Sequence, residues 1–323
     1  MPLLFYRGQR TAIRQAKWRD DREAFGDGDH RGHLAVGVLT AERRNAVHVS
    51  RGRRQALVWG AMGALALPLI LVGPAAADPA ATGATHVGVV EARSCANLGV
   101  TIPLDPGQAE RARAMLPAGF TLAAMPTMLV ETSTCAGADV NGTEIGRFHL
   151  SEAALSVEPP RPIASPRLGE TVAENIYMIS QLDTNELLSE FKSRLGYRSE
   201  LVDITLDLGA PDQLGRLASA TAGGELAPTA ATAQLTPSLL PDDVRVPNPG
   251  VVYKLWTRDA QGRYVVTTNA NMTIDRPAAG VGTVIAPEGT AVHRILGGDS
   301  ATGIAFSGRA ERFVNDTFVI PAG

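Results

Sequence analysis

The chain is 323 residues long, 45% hydrophobic and 20% charged, with a formal net charge of −3 at pH 7. The charge is uneven: residues 1–77 carry 12 of the 30 basic and 6 of the 33 acidic side chains, which leaves −9 on the remaining 246 residues. An acidic domain of that size excludes non-specific binding to nucleic acid or to anionic membrane surfaces, both of which need a basic face, and it is long enough to bury a substantial core.

Residues 1–46 are rich in Arg, Asp and Gly, and a stretch such as WRDDREAFGDGDHRGH buries too little apolar surface to offset its ordering entropy. It is expected to be unfolded. Arg51, Arg53 and Arg54 then precede the uncharged run 55–77, which ends in Ala75, Ala76 and Ala77. Basic, apolar and small residues in that order form the pattern of a secretory signal peptide cleaved after Ala77. The 18 apolar residues from Ala56 to Gly73 would span about 27 Å as a helix, so 47–77 reads either as a removed signal or as a retained anchor. A start at Val47 or Val49 gives a signal of ordinary length and makes 1–46 a mis-assigned extension; 27 arginines against 3 lysines suit a GC-rich bacterial genome. The expected location is secreted or in the cell envelope. Cys95 and Cys135, the only cysteines, both follow the cleavage site. In an oxidising compartment they read as one disulfide, worth about 4 kcal/mol of chain entropy, with two buried thiols as the alternative.

Residues 78–84 form a linker, and a single domain over 85–323 opens on the alternating strand THVGVVEA (85–92). Asp105 as N-cap and Pro106 at the first turn begin a helix to about Leu116, ended by Pro117 and Gly119. TMLVETSTC (127–135) alternates as a strand, Asn141-Gly142 makes a hairpin turn, and EIGRFHLSEAALSVE (144–158) returns antiparallel. The proline-rich PPRPIASP (159–166) leads to the strand ENIYMISQLD (174–183). Asp183 or Thr184 caps the next helix, with Leu187, Leu188, Phe191 and Leu195 on one face, Lys192 among the polar positions and Gly196 as the stop. SELVDITLDLG (199–209) alternates as a strand, whereas the Ala/Thr-rich 218–233 lacks bulky side chains and predicts a mobile loop or weak edge strand. Residues 251–275 form a hairpin around Asp259–Gly262, and short strands follow to ERFVNDTFVIP (311–321). Mostly antiparallel strands with two conspicuous helices make an α+β, barrel-like domain.

Motifs of known chemistry are weak. GGDSATG (297–303) has a Gly-Asp-Ser step, but a triad also needs an oriented histidine, and His86, His149 and His293 stand in no such context. A Gly-rich turn is the ordinary reading. His149 and Glu152, three apart in a strand, point to opposite faces, so no metal site is expected, and no phosphate loop or cofactor motif occurs.

The order MLPAGFTL (115–122), TMLVETSTC, GRFHLSEAALSVE (146–158), NIYMISQLD and SRLGYRSEL (193–201) resembles the acetoacetate decarboxylase-like family of antiparallel β-barrels, over about Ala109 to Asp207. The resemblance implies a barrel with a ligand cavity and a carboxylate, here Glu152, on the strand after Gly-Arg-Phe. It also implies a Schiff-base lysine in a Gly-Phe-Pro-Lys turn, whereas this chain has Gly196-Tyr197-Arg198-Ser199. The scaffold is thereby expected without the reaction: an exported, non-catalytic protein that binds a small apolar ligand. Glu152, Tyr177, Tyr197 and Arg198 near the barrel mouth, with Lys254 on a late strand, are the candidate ligand-binding residues, and no catalytic residue, cofactor or metal is assigned. The alternatives are a decarboxylase-like enzyme using relocated residues and a membrane-anchored envelope interaction protein without a pocket.

Overall fold

The computed structural model describes residues 83–160, 174–210, 213–237 and 246–321. The expected unfolded segment, signal peptide, most of the linker and most of the proline-rich connection lie outside them. The described residues belong to one compact unit, Leu71–Gly323, and none of their helices is long and apolar enough to cross a membrane.

The chain opens with β1 (Thr85–Pro103) and α1 (Pro106–Arg113), followed by the short β2 (Thr121–Leu122), β3 (Thr127–Val140), β4 (Thr143–Ile145) and β5 (Phe148–Glu158). Next come β6 (Glu174–Asp183), α2 (Glu186–Arg194), β7 (Ser199–Leu201), β8 (Ile204–Asp207), β9 (Arg216–Ala222) and β10 (Thr229–Pro237). The long β11 (Val246–Arg258), β12 (Tyr264–Ile285) and β13 (Ser300–Ile320) complete the fold, with α3 (Ala291–Leu296) between the last two.

Several local rules act as the sequence predicts. Asp105 caps α1 through a reciprocal capping box with Gln108. The helix stops at Arg113, short of Leu116, because Met115 and Leu116 tighten onto carbonyls three residues back. Asn141 and Gly142, both at positive φ, turn β3 into β4, and β5 continues the return after a break at Gly146-Arg147. The cap of α2 is Asn185, whose side chain accepts from the Leu188 amide, rather than Asp183 or Thr184. GGDSATG holds a helix end: Gly297 is the left-handed cap of α3 and Ser300 the first residue of β13.

Two expectations are corrected. The Ala/Thr-rich segment is no loose loop but the paired hairpin β9–β10, with Ala218, Ala220, Ala222, Ala231 and Ala233 buried on one face. Period-two alternation persists with alanine as its apolar member, and small side chains let the sheet lie close to the layer beneath it. The late part is built of two strands exceeding 20 residues, β12 and β13, instead of short ones, with α3 as a third helix among the described residues.

Strand order β11-β6-β5-β3-β1-β13-β12, with β12 pairing back to β11, closes a seven-stranded ring. Every contact in it is antiparallel except β6–β11. Beyond a register shift at Asp275/Ala278, β12 leaves the ring to pair with β10, which carries β9 and β8 outward. Apolar residues fall into two main clusters. One includes Val90, Cys135, Phe148, Ile176, Leu255, Val265 and Phe313, one or more from every ring strand, and only α2 adds to it from outside the ring strands and β4, apart from Leu195 and Tyr197 just beyond the helix. It is the interior of the ring. The other joins the opposite faces of the same strands to α1, α3, β9 and β10. Cys95 and Cys135, directly opposite in the β1–β3 register, form the expected disulfide with an S–S distance of 2.05 Å.

Candidate functional site

The ring interior carries a polar layer beside its apolar cluster. Along β5, Phe148 and Ala154 face the interior and Ala153, Leu155 and Val157 face outward, so strand alternation turns Glu152 inward. Glu131 stands directly opposite it on β3. Both carboxylates are half-buried and strongly desolvated. Glu131 accepts hydrogen bonds from Asn97 (3.0 Å) and Ser133 (3.2 Å), and burial, only partly offset by these bonds, raises its pKa. Glu152 has no hydrogen-bond partner among the described residues, and burial first, then the charges of Glu131 and Asp183, push its carboxyl up to about 7 against the opposing pull of Lys192.

Lys192 enters from α2. The sequence expectation of a solvent-facing lysine is wrong: its side chain is 2% exposed. Its Nζ lies 4.8 Å over the Tyr197 ring, and burial pushes its ammonium pKa down while Glu152 and Asp183 pull it back up. No ion pair joins it to either carboxylate among the described residues. The signal was present, because Lys192 is four residues after Leu188 and three before Leu195, inside the apolar stripe rather than beside it. Asp183, at the end of β6, accepts from Ser199 (2.9 Å) through one oxygen and leaves the other buried without a partner. Burial raises it to about 6.

Tyr197 completes the cluster. Its hydroxyl meets Thr267 at 2.6 Å, which meets Thr317 at 2.9 Å, a chain of hydroxyls across β12 and β13. Burial, with the Glu152 charge, holds this phenol above its ordinary value. Two residues along the same strand faces, the paired Asn269 and Asn315 each bury a side-chain oxygen without a partner. Buried polar atoms without partners are costly, and several of them lie on the inward faces of the ring strands together with the carboxylates and Lys192.

The five candidate residues therefore separate into three places. Glu152 and Tyr197 meet in the ring interior, joined by Glu131, Asp183 and Lys192, which the sequence had not singled out as ligands. Tyr177 and Arg198 line a different cleft of about 340 Å³ with Arg258 and Gly196. Lys254 is 6% exposed and shares the outward strand face of Trp256, opposite to Leu255 in the interior cluster. The structure does not bring it to Glu152.

No protein-family model and no curated protein matches the chain. Among solved structures it is similar to the enduracididine biosynthesis enzyme MppR complexed with pyruvate, at 13% identity over 72% of this chain and 89% of that chain, TM-score 0.48. It is likewise similar to an acetoacetate decarboxylase-like enzyme from Sphingomonas wittichii RW1 (12%, 72% and 91%, TM-score 0.48). The acetoacetate decarboxylase from Legionella pneumophila gives 12% identity, 73% and 87% coverage and a TM-score of 0.45. The chain has a distant resemblance in fold to this group of barrels.

Proposed function

We propose that the ring interior binds a small oxo acid and that Lys192 is the amine that reacts with its carbonyl, which makes the protein a decarboxylase-like enzyme with a relocated lysine. One observation carries this reading: a buried lysine, its amine eased toward neutrality by desolvation, close enough to Glu152 and Asp183 to feel their charges and paired with neither. A neutral amine in a desolvated site is a nucleophile toward carbonyl carbon. The nitrogen lone pair adds to that carbon, the oxygen takes protons and leaves as water, and a C=N bond forms. Glu152, at about 7, holds a transferable proton near neutral pH. With a β-oxo acid the protonated imine takes up the electron pair of the bond to the carboxylate and carbon dioxide departs, leaving an enamine. The carbon that lost the carboxylate takes a proton from Glu152, and water then adds to the re-formed imine, releasing the ketone and the free lysine.

The motif order seen in the sequence supports the oxo-acid class, and the lysine arrives from the helix four residues before Gly196 rather than from the turn after it. Export is part of the proposal, supported by the signal-like run before residue 78 and by the disulfide. Treatment with acetoacetate and then borohydride should leave a stable mass increment on the peptide containing Lys192 and none in Lys192→Met. An adduct on Lys254, or none at all, overturns the reading. The second reading, binding without catalysis, is favoured by the missing lysine in Gly196–Ser199; it predicts a ligand-dependent rise in thermal midpoint with no adduct.

A further inference from the structure

The one parallel contact of the ring ends abruptly. β6 and β11 pair from Glu174 with Tyr253 to Tyr177 with Trp256, after which β6 turns its edge to β7 through Gln181 and Ser199. Between Met178-Ile179 on one strand and Thr257-Arg258 on the other the ladder opens, and the cleft of about 340 Å³ occupies that fork. A crevice at the carboxyl ends of diverging parallel strands is a recurrent place for ligands. Gly196 forms part of its wall: a Cβ there would come within 2.2 Å of the Arg258 carbonyl oxygen, so the chain passes as close as a backbone can.

The lining has two characters. Two guanidiniums face the cleft. Arg258 is held by the Ala118 carbonyl (2.9 Å), the Tyr264 hydroxyl (2.8 Å) and the Tyr264 ring (4.7 Å), and its Nε is buried without an acceptor. Arg198 is exposed; its backbone carbonyl accepts from the Gln181 amide (2.8 Å), while its guanidinium makes no hydrogen bond or ion pair among the described residues. Both charges act on the Tyr177 phenol, and the Thr257 hydroxyl, which donates to the Gly196 carbonyl (3.1 Å), lines the same cleft, so the cations and the hydroxyls converge. No carboxylate lines the cleft, and its remaining wall is apolar, with Met115, Met178 and Ile179.

We propose that this fork is a second site, distinct from the ring interior, that binds the carboxylate of a small aliphatic acid. The carboxylate sits between Arg198 and Arg258 within reach of the Tyr177 hydroxyl, and the alkyl chain lies against Met115 and Ile179. Planar guanidiniums suit a planar carboxylate, and Met115 and Ile179 beside them offer a hydrocarbon body an apolar neighbour that a fully hydrated anion such as phosphate does not use. The inference does not depend on Lys192.

Hexanoate tests it, since it has no carbonyl for an amine to attack. Titration of the full chain should give binding about tenfold tighter than acetate. Arg198→Gln should weaken hexanoate about tenfold with an unchanged thermal midpoint, because the side chain is exposed and supports no contact. Met115→Ala should erode the preference for hexanoate over acetate and leave acetate unaltered. Unchanged hexanoate affinity in Arg198→Gln, phosphate binding more tightly than hexanoate, or no binding of any of the three overturns the proposal.

Discussion

Glu152 concentrates the electrostatic cost of the interior. Its folded-state value near 7 lies above the ordinary carboxylate value of 4.5, so between those pH values the folded chain holds more protons than the unfolded one. Stability must then fall as pH rises across that window and level off above it. Asp183, raised from 3.8 to about 6, acts with the same sign over a lower window. Lys192 acts oppositely: its lowered pKa adds stability as pH climbs toward 10.5. Thermal midpoints measured from pH 4 to pH 8 should therefore decline toward neutrality. Glu152→Gln should raise the midpoint at pH 7.5 and flatten the decline; an unaltered profile would remove Glu152 as its source. Glu152 was named in the sequence through the resemblance of its strand after Gly-Arg-Phe, and Lys192 was legible through helix spacing, had its place within the stripe outweighed its charge. Lys254 was not resolvable by residue type, because Tyr253, Lys254 and Leu255 alternate between two buried faces.

At the scale of elements, the α2–β7 junction positions both sites. Tyr197 points into the ring and Gly196 and Arg198 line the fork, so three consecutive residues serve two places. Gly196 has φ +88 and no room for a Cβ against the Arg258 carbonyl. Gly196→Ala should cost about 2 kcal/mol or more in urea unfolding, from backbone strain and the displaced β11 together. Phe191, which reaches the interior from α2 and lies against Gly88, is the matching packing test: Phe191→Ala should cost about 3–5 kcal/mol. The Asp105 cap of α1 and the Asn141-Gly142 turn were readable because they depend on contacts within a few residues, whereas the cap of α2 fell on Asn185 rather than on Asp183 or Thr184. The length of β12 and β13 was not readable, because their far halves are stabilised by β10 and β1, remote in sequence, and there glycine, alanine, serine and threonine outnumber the scattered Val, Ile and Phe.

For the molecule as a whole, the disulfide ties neighbouring ring strands whose cysteines are 40 residues apart. Replacing both by serine should lower the unfolding free energy by about 2–4 kcal/mol and leave the ring intact by circular dichroism. A drop below about 0.5 kcal/mol would show that β1–β3 pairing already restricts the unfolded chain. The sequence by itself determined the cysteine pair, the alternating strands, the Asn141-Gly142 turn, the capped start of α1 and the acidic balance after residue 77, since each follows from local periodicity, turn chemistry or counting. Only the tertiary structure decided that β6 and β11 meet in parallel to close the ring, that Lys192 enters it beside Glu152 and Asp183, and that Tyr177 and Arg198 belong to a separate fork. Those outcomes depend on the register between strands distant in the chain, and register is set by how two buried faces pack, a property that no single strand's pattern contains.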